Sequence, residues 1–195
     1  MSSREKILSK INQNQPDLTA LPSLDGLKTI YSNPVGKFKE VLTIIGGQVV
    51  EVSDFEGIVE FVQGQMDVSA RLVTTLPELS HLAETNWQPA DPHTLANVEL
   101  AIIRGHFGVA ENSAIWVTED VLGQRVTPFI AQYLAIILNE KDIVPTMHHA
   151  YERIGASEYG FGTFIAGPSK TADIEQSLVL GAHGPRGLTV FLMKN

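Results

Sequence analysis

The fold of this chain is decided near its carboxyl end, where residues 161–193 read FGTFIAGPSKTADIEQSLVLGAHGPRGLTVFLM. Two apolar runs at the ends of this stretch, Phe161–Ala166 and Leu188–Met193, have the composition of buried strands. Between the runs lie two Gly-Pro turns and a dense set of polar side chains. Ordinary surface turns rarely combine hydroxyls, carboxylates, an imidazole and a guanidinium between two buried elements. The stretch therefore indicates a buried sheet with a functional site beside it.

The same strand-like runs recur upstream and alternate with helical patterns. Further strands are predicted over 48–52, 69–74, 98–103, 113–118 and 133–138, and helices over 2–15, 34–45, 54–62 and 145–154. Continuous apolar strands between helices are typical of a sheet that is buried on both faces. The predicted fold is therefore α/β, with a largely parallel central sheet and flanking helices. Residues 1–32 are predicted to be an N-terminal helix and linker, and residues 33–195 a single domain.

The N-terminal helix has a clear start and a narrow apolar face. Ser2 and Glu5 have the spacing of a capping box. Only Ile7, Leu8 and Ile11 form an apolar stripe. The helix is therefore expected to be an arm that lies either on the body of this chain or on a partner.

Composition excludes several functional classes. The chain has 195 residues, of which 44% are hydrophobic, and a net charge of −8. The acidic balance excludes the basic footprint of a nucleic-acid-binding protein. No apolar run approaches the roughly 20 residues that span a bilayer. The first residues, MSSREKILSK, lack the apolar centre of a signal peptide, so a cytoplasmic location is expected.

The chain contains no cysteine. Disulfides, thiol nucleophiles and cysteine-ligated zinc are thereby excluded. An ordinary iron–sulfur cluster is excluded as well, because its irons are held by thiolates. No cofactor is therefore expected in this chain, and any redox centre that it serves must lie on another protein or on a diffusible cofactor.

The first Gly-Pro turn, Gly167-Pro168-Ser169-Lys170-Thr171, is the leading candidate for a ligand site. In open α/β sheets, ligands collect at the carboxyl ends of strands, and this turn follows a predicted strand. Its amides and polar side chains can bind a small anion. The alternative is a turn in which Ser169 or Thr171 caps a short helix. The other loops expected at that edge are 53–54, 75–76 and 105–108.

Two carboxylates follow this turn, at Asp173 and Glu175. Because they would repel a bound phosphate, two roles are open for them. They can form ion pairs with Lys170 or Arg186. Alternatively, one of them serves a ligand as a base or a hydrogen-bond acceptor, and Asp173 is the better candidate because it lies nearer the turn.

The second Gly-Pro turn carries His183, Gly184 and Arg186. His183 is a candidate acid–base group, because an imidazole titrates near neutral pH; the alternative is a histidine that only orders its turn. Arg186 can bind a carboxylate or a phosphate through two parallel hydrogen bonds, or form a surface ion pair. A Ser-His-Asp triad of Ser169, His183 and Asp173 is formally available, although the chain has no G-x-S-x-G motif.

The chain also contains a polar triplet and six histidines outside or near these turns. Glu111-Asn112-Ser113 opens a predicted strand, so Glu111 either projects into the same cleft or belongs to an ordinary turn. His148 and His149 are adjacent on a predicted helix, so their side chains diverge by about 100°. His81, His93 and His106 are isolated in sequence. No metal site is predicted from this chain.

The carboxyl-terminal motifs resemble those of the lactate-utilization (LUD domain) family, specifically its shorter C-type members. The matching segments are Gly167-Pro168-Ser169-Lys170-Thr171-Ala172-Asp173-Ile174-Glu175, Leu178-Val179-Leu180-Gly181 and His183-Gly184-Pro185. Ala110-Glu111-Asn112-Ser113 is similar to the family's Ala-Glu-Thr-Gly segment but departs from it in its last two residues. The opening SREKILSKI is also similar to the family's first helix.

The resemblance implies a fold like that of CoA transferases and sugar-phosphate isomerases, with sites at strand ends. It also implies a role in the oxidation of L-lactate to pyruvate beside two iron–sulfur partner proteins, in which this chain is the cluster-free subunit. In the CoA-transferase relatives a Glu-Asn-Gly glutamate is the acyl acceptor, which makes Glu111 a candidate catalytic residue. The alternative is a stand-alone enzyme acting on an acyl-CoA, a phosphosugar or a folate-like ligand.

Overall fold

The computed structural model of this chain describes residues 2–17, 19–20, 22–23, 26, 28–67, 69–174 and 177–194, and only the backbone of 172–174 and 177–178. Its helices are α1 (Ser3–Gln13), α2 (Pro34–Ile44), α3 (Phe55–Gln65), α4 (Glu119–Leu122), α5 (Thr127–Ile130) and α6 (Met147–Ile154). Its strands are β1 (Gln48–Val52), β2 (Leu72–Thr74), β3 (Leu100–Arg104), β4 (Phe107–Val109), β5 (Ile115–Thr118), β6 (Tyr133–Asn139), β7 (Ile143–Val144), β8 (Gly162–Ile165), β9 (Lys170–Ile174), β10 (Ser177–Leu180) and β11 (Gly187–Met193).

The longer helices begin where side chains satisfy their first backbone amides. In α1, the Ser2 hydroxyl accepts from the amide of Glu5, and the Glu5 carboxylate accepts in return from the amide of Ser2. This is the predicted capping box. The Asp54 carboxylate accepts from the amide of Gly57 at the start of α3, at 3.0 Å. None of the described helices combines the length and the apolarity that crossing a bilayer requires.

The predicted central sheet is confirmed. Five strands pair in the order β1-β11-β6-β3-β2, and every pairing is parallel. Successive residues of β6 point to opposite faces of the sheet, and both faces are buried. Burial on both faces explains why the strands read as unbroken apolar runs. The α/β class follows from this sheet and the helices that flank it.

Different elements cover the two faces of the central sheet. Helix α3 packs Ile58, Val59 and Val62 against one face. On the other face, α2 contributes Phe38 and Leu42 to a core that also contains residues of a second sheet. The central sheet is thus the middle layer of the fold.

The second sheet was not predicted. It has the order β7-β4-β5-β8, in which β4 is parallel to β7, and β5 is antiparallel to both β4 and β8. Its outer face packs against α6. The prediction of a turn over 105–108 was wrong beyond His106, because Phe107 and Gly108 belong to β4. A strand of three residues is too short to reveal itself by periodicity.

The N-terminal arm is attached to the body beyond α1. No residue of α1 is buried, and Ile7 and Ile11 are both more than half exposed. Further along the arm, the Lys28 ammonium pairs with the Glu152 carboxylate of α6, and Tyr31 packs against the core. Within the described residues, the apolar stripe of α1 therefore lies open to solvent.

Candidate functional site

The 167–186 segment lies at the amino edge of the central sheet. The prediction that its first turn lies at the carboxyl edge was wrong, because the preceding strand, β8, belongs to the second sheet. The amide of Arg186 donates to the carbonyl of Gln132 at 2.9 Å. These two residues immediately precede β11 and β6, which begin as the pair Gly187 and Tyr133. The segment therefore faces the opposite end of the sheet from the one expected.

The polar motif itself forms a β-hairpin. Strands β9 and β10 pair antiparallel, with Lys170 opposite Leu180 and Thr171 opposite Val179. The alternative in which Ser169 or Thr171 caps a helix is therefore wrong. Asp173 lies on β9, but its carboxylate lies outside the described part of the chain, as does the whole of Glu175. Their proposed roles stay predictions.

The first Gly-Pro turn is closed by backbone hydrogen bonds. The amide of Ser169 donates to the carbonyl of Pro185 at 2.8 Å, and the Ser169 carbonyl accepts from Gly181 at 3.0 Å. Gly167 has a φ of +71°, and a Cβ there would meet Ile45 at 3.1 Å. Because glycine has no Cβ, it can adopt the left-handed conformation and can also lie this close to Ile45. Because the Ser169 amide already has an acceptor, it is not available to a bound anion.

The side chains of the second turn have different surroundings. The Arg186 guanidinium hydrogen-bonds the Oε1 atom of Gln132 and lies 5.7 Å from the centre of the Tyr133 ring. His183 is exposed, and Gly184 lies against the side chain of Ser169. The two turns are thus brought together by their backbones. A catalytic role for His183 stays a prediction.

Glu111 lies in the hairpin loop between β4 and β5 and is engaged with α6. Its Oε2 atom accepts from the amide of Met147, the first residue of that helix, at 2.9 Å. Its own amide donates to the carbonyl of Pro145. A carboxylate at a helix N-terminus satisfies a free amide and complements the helix dipole. Glu111 thus holds α6 on the second sheet, and among the described residues its hydrogen-bond partners are Met147 and Pro145.

The carboxyl edge of the central sheet carries a hydrogen-bonded group that sequence reasoning missed. His106 follows β3, and its Nε2 atom lies 2.5 Å from the Thr118 hydroxyl. That hydroxyl donates to the Asp120 carboxylate, which also lies 3.5 Å from His106 Nε2. The hydrogen bond from the Thr118 hydroxyl holds the pKa of Asp120 below its usual range.

This arrangement fixes the tautomer of His106. A threonine hydroxyl has one proton, and here that proton goes to Asp120. The hydroxyl must therefore accept from His106, which places a proton on Nε2. In the neutral ring, Nδ1 then carries the free electron pair. Among the described residues, Nδ1 has no hydrogen-bond partner, so it is available to accept a proton from a ligand.

His106 lines a cavity of about 520 Å³. The cavity lies between the second sheet and α6 and is also lined by Trp116, Tyr159 and Arg153. The Arg153 guanidinium lies 5.0 Å from the centre of the Phe107 ring and pairs with Asp142 at 2.7 Å. The volume and the mixture of aromatic and ionisable walls suit a small polar ligand. We call this space the His106 pocket.

A second cavity, of about 420 Å³, has Gly105 among its walls. Its walls include the residues at or just beyond the ends of β3, β6 and β11, namely Arg104, Asn139 and Lys194, and also Lys141. A Cβ on Gly105 would meet Ile115 at 2.6 Å, so this wall admits only glycine. We call this space the cationic pocket. It occupies the edge at which ligands of parallel sheets usually bind.

One cation of the cationic pocket is committed to an ion pair. The Lys194 ammonium pairs with the Glu51 carboxylate, and Lys39 pairs with the same carboxylate. The hydrogen bonds from Lys194 and Lys39 lower the pKa of Glu51 to about 2. Glu51 in turn raises the pKa of Lys194. Both groups are therefore charged at neutral pH.

Metal-ligand geometry is not found in the described residues, where no three His, Asp or Glu side chains converge as a metal site requires. The pair His148-His149 has one described hydrogen-bond contact, between His149 Nδ1 and the Thr146 hydroxyl at 2.8 Å.

The sequence contained one indication of the His106 pocket, because the loop 105–108 was expected at the carboxyl edge of the sheet. The pairing with Thr118 and Asp120 was hidden because it depends on the unpredicted second sheet.

Comparison with known proteins identifies relatives over most of the chain. The sequence profile of the LUD domain matches residues 35–193. Lactate utilization protein C of Geobacillus thermodenitrificans (strain NG80-2) is 30% identical over 173 residues, which are 83% of this chain and 69% of that protein. Lactate utilization protein C of Bacillus pumilus (strain SAFR-032) is 29% identical over 115 residues, which are 53% of this chain and only 48% of that protein.

A solved structure shares the fold. The crystal structure of a DUF162 family protein from Deinococcus radiodurans superposes with a TM-score of 0.65 and covers 85% of this chain and 99% of its own. The two sequences are 18% identical. Similarity at this level establishes the common architecture, with its parallel central sheet, and leaves the chemistry to be argued from the sites.

Proposed function

This chain belongs to the LUD domain family, and we propose that it is a component of a lactate-utilization system. The observation that carries the proposal is the similarity to a Lactate utilization protein C over 83% of this chain. In the proposed system, iron–sulfur partner proteins accept the electrons released when L-lactate is oxidised to pyruvate. This chain is the cluster-free subunit, since its 195 residues include no cysteine to ligate a cluster.

Growth on defined carbon sources tests the role in lactate use. Cells of the native host that lack the gene are expected to fail on L-lactate as sole carbon source. They are expected to grow normally on pyruvate, because pyruvate is the product of the proposed oxidation. Restoring the gene should restore growth on lactate. Unimpaired growth of the deletion strain on lactate would contradict the proposal.

Affinity purification from lactate-grown cells tests the partners. The tagged full chain is expected to retain iron–sulfur proteins, detected by mass spectrometry and by the visible absorption of their clusters. The exposed stripe of α1, formed by Ile7, Leu8 and Ile11, is the proposed contact. A chain that lacks residues 1–16 should then lose the partners and keep its fold. Full retention by the truncated chain would place the contact elsewhere, and recovery of no iron–sulfur protein by the full chain would contradict the proposed assembly.

A second function, a stand-alone enzyme, is favoured by the His106 pocket. His106 is held by Thr118 and Asp120, and its Nδ1 atom has no hydrogen-bond partner in the part of the chain that the structure describes, as a general base requires. Its substrate would be an acyl-CoA, a phosphosugar or a folate-like molecule. The rival catalytic residues are those predicted from the motifs, Asp173, His183 and Glu111.

A ligand screen followed by substitution separates the two sets of residues. Thermal shift against CoA esters, sugar phosphates and folates identifies a substrate, and turnover is then measured with it. If His106 is the base, His106→Ala should lower kcat by at least about a hundredfold, whereas His183→Ala and Asp173→Asn should leave kcat near the parent value. The reverse pattern would return the chemistry to the 167–186 segment. If none of the candidate ligands raises the melting temperature, the enzymatic alternative fails.

A further inference from the structure

We propose that the cationic pocket binds the phosphate group of a small ligand. The pocket lies where β3, β6 and β11 end, and three of its wall residues, Arg104, Lys141 and Lys194, carry positive charge. The only acidic residue among its described walls is Asp142. Asp142 is itself neutralised by Arg153, at 2.7 Å. The walls therefore present an excess of positive charge to whatever occupies the space.

Two of the three cations lack a hydrogen-bonded acidic partner among the described residues. Lys194 is held by Glu51. Arg104 approaches Glu78 only to 3.6 Å, beyond hydrogen-bond distance. Lys141 has no ion pair within the described chain. An anion between Arg104 and Lys141 would supply the acceptors that both side chains lack.

Because the chain as a whole is negatively charged, the positive charge of the cationic pocket should draw anions to this place on the surface. The net charge is −8, so most of the surface repels anions. Positive groups gathered in a concave space with apolar walls raise the local concentration of anions. The pocket includes Ile137 and Met193 among its walls. Anions are therefore attracted to the carboxyl edge of the sheet.

The arrangement fits a phosphate better than a carboxylate. The guanidinium of Arg104 offers parallel N–H donors that match two phosphate oxygens, and Lys141 adds a point charge. A phosphate ester carries up to two negative charges, which both cations can neutralise, whereas a lactate carboxylate carries one. A volume of about 420 Å³ also leaves room for the organic part of the ligand.

The amino edge of the sheet is less suited to bind a phosphate. There, the Ser169 amide donates to Pro185, and the Arg186 guanidinium is hydrogen-bonded to Gln132. The inference does not depend on the lactate-system role, which is tested by growth rather than by binding. It assigns the anion to the carboxyl edge, and the 167–186 segment is the rival site.

Isothermal titration of the full chain at low ionic strength tests the assignment. The probes are inorganic phosphate and pyrophosphate as free anions, coenzyme A as a phosphate ester, and L-lactate as a carboxylate. Arg104→Gln and Lys141→Met are each expected to weaken phosphate binding at least about tenfold. The matched controls are Arg4→Gln and Lys10→Met on α1, of which no residue is buried, and both should bind like the parent. Loss of binding in Arg186→Gln at the amino edge would instead assign the anion to the 167–186 segment. Circular dichroism establishes that each variant is folded.

Each possible result either supports or overturns the proposed phosphate site. The proposal is supported if phosphate or coenzyme A binds and only the two pocket variants lose affinity. Tighter binding of coenzyme A than of free phosphate would identify an ester as the ligand, and the reverse would identify the free anion. The proposal is overturned if the parent binds none of the phosphate probes, or if Arg186→Gln weakens binding as much as Lys141→Met. It is also overturned if L-lactate binds as tightly as phosphate.

Discussion

Ser113 holds a backbone conformation that carries an energetic cost. Its φ of +57° is in the left-handed region, which costs an L-residue roughly 1–2 kcal/mol. Glycine adopts such a conformation freely, because it has no Cβ. Ser113 is fully buried, and its hydroxyl donates to the carbonyl of Phe38 at 3.2 Å. The hydrogen bond to α2 offsets part of the strain.

At position 113, the glycine variant should be more stable than the alanine variant, which is the reverse of the usual order. Both Ser113→Ala and Ser113→Gly lose the hydrogen bond to Phe38, which is worth about 1 kcal/mol. Only glycine also relieves the left-handed conformation, so we expect the glycine variant to be more stable than the alanine variant by about 1 kcal/mol. Urea unfolding of the two variants and the parent measures this difference. An alanine variant at least as stable as the glycine variant would refute it.

At the scale of secondary-structure elements, Glu51 connects β1, α2 and the end of β11 by ion pairs. It lies on β1, and its carboxylate pairs with Lys39 of α2 and with Lys194 beyond the end of β11. Its pKa of about 2 is below the usual 4.5. A carboxylate whose pKa is lowered by folding stabilises the native state above the unfolded pKa. That contribution is lost as the pH falls from about 4.5 towards 2.

The acid sensitivity of these ion pairs can be measured. We expect Glu51→Gln to lower the urea midpoint at pH 7 and to flatten its fall between pH 5 and pH 2.5, because the glutamine does not titrate. Glu60→Gln on α3 is the matched control, since Glu60 makes no ion pair among the described residues. The control should follow the pH profile of the parent. Identical profiles for Glu51→Gln and the parent would show that the ion pairs do not contribute.

Sequence patterns predicted elements far better than their assembly. The capping box at Ser2 and the apolar strands of the central sheet were recognised because their signals are local. Strands β4 and β7, with three and two residues, are held by pairing and by α6, which no local pattern reveals. The hairpin β9–β10 was missed because turn residues on both sides suggested a capped helix. The His106 pocket was missed because it needs the second sheet.

At the scale of the whole molecule, the two edges of the central sheet have unequal support. Strand β6 is paired on both sides, and its residues from Leu134 to Leu138 are buried. The hairpin β9–β10 forms a sheet of two strands, which has little stability by itself. The carboxyl edge is thus formed by strands of a five-stranded sheet, whereas the polar motif lies on a pair of strands.

Hydrogen exchange should resolve this difference. Amides of β6 are expected to exchange at least about a thousandfold more slowly than those of β9 and β10, because β6 opens only on global unfolding. Exchange followed by mass spectrometry on peptides from each strand measures the ratio. Equal protection of β6 and the hairpin in the free protein would contradict the expectation.

The position of β1 has a kinetic consequence for the folding of the newly made chain. β1 lies at one edge of the central sheet, and its neighbour there is β11, with Gln48 opposite Thr189, about 140 residues further along the chain. A ribosome therefore releases β1 long before its partner exists. The strand must wait with its amides and carbonyls unpaired, and β6 waits for the same partner. Folding is expected to be slow and to be completed only after synthesis of β11, and an exposed strand edge in the meantime invites chaperone binding or aggregation.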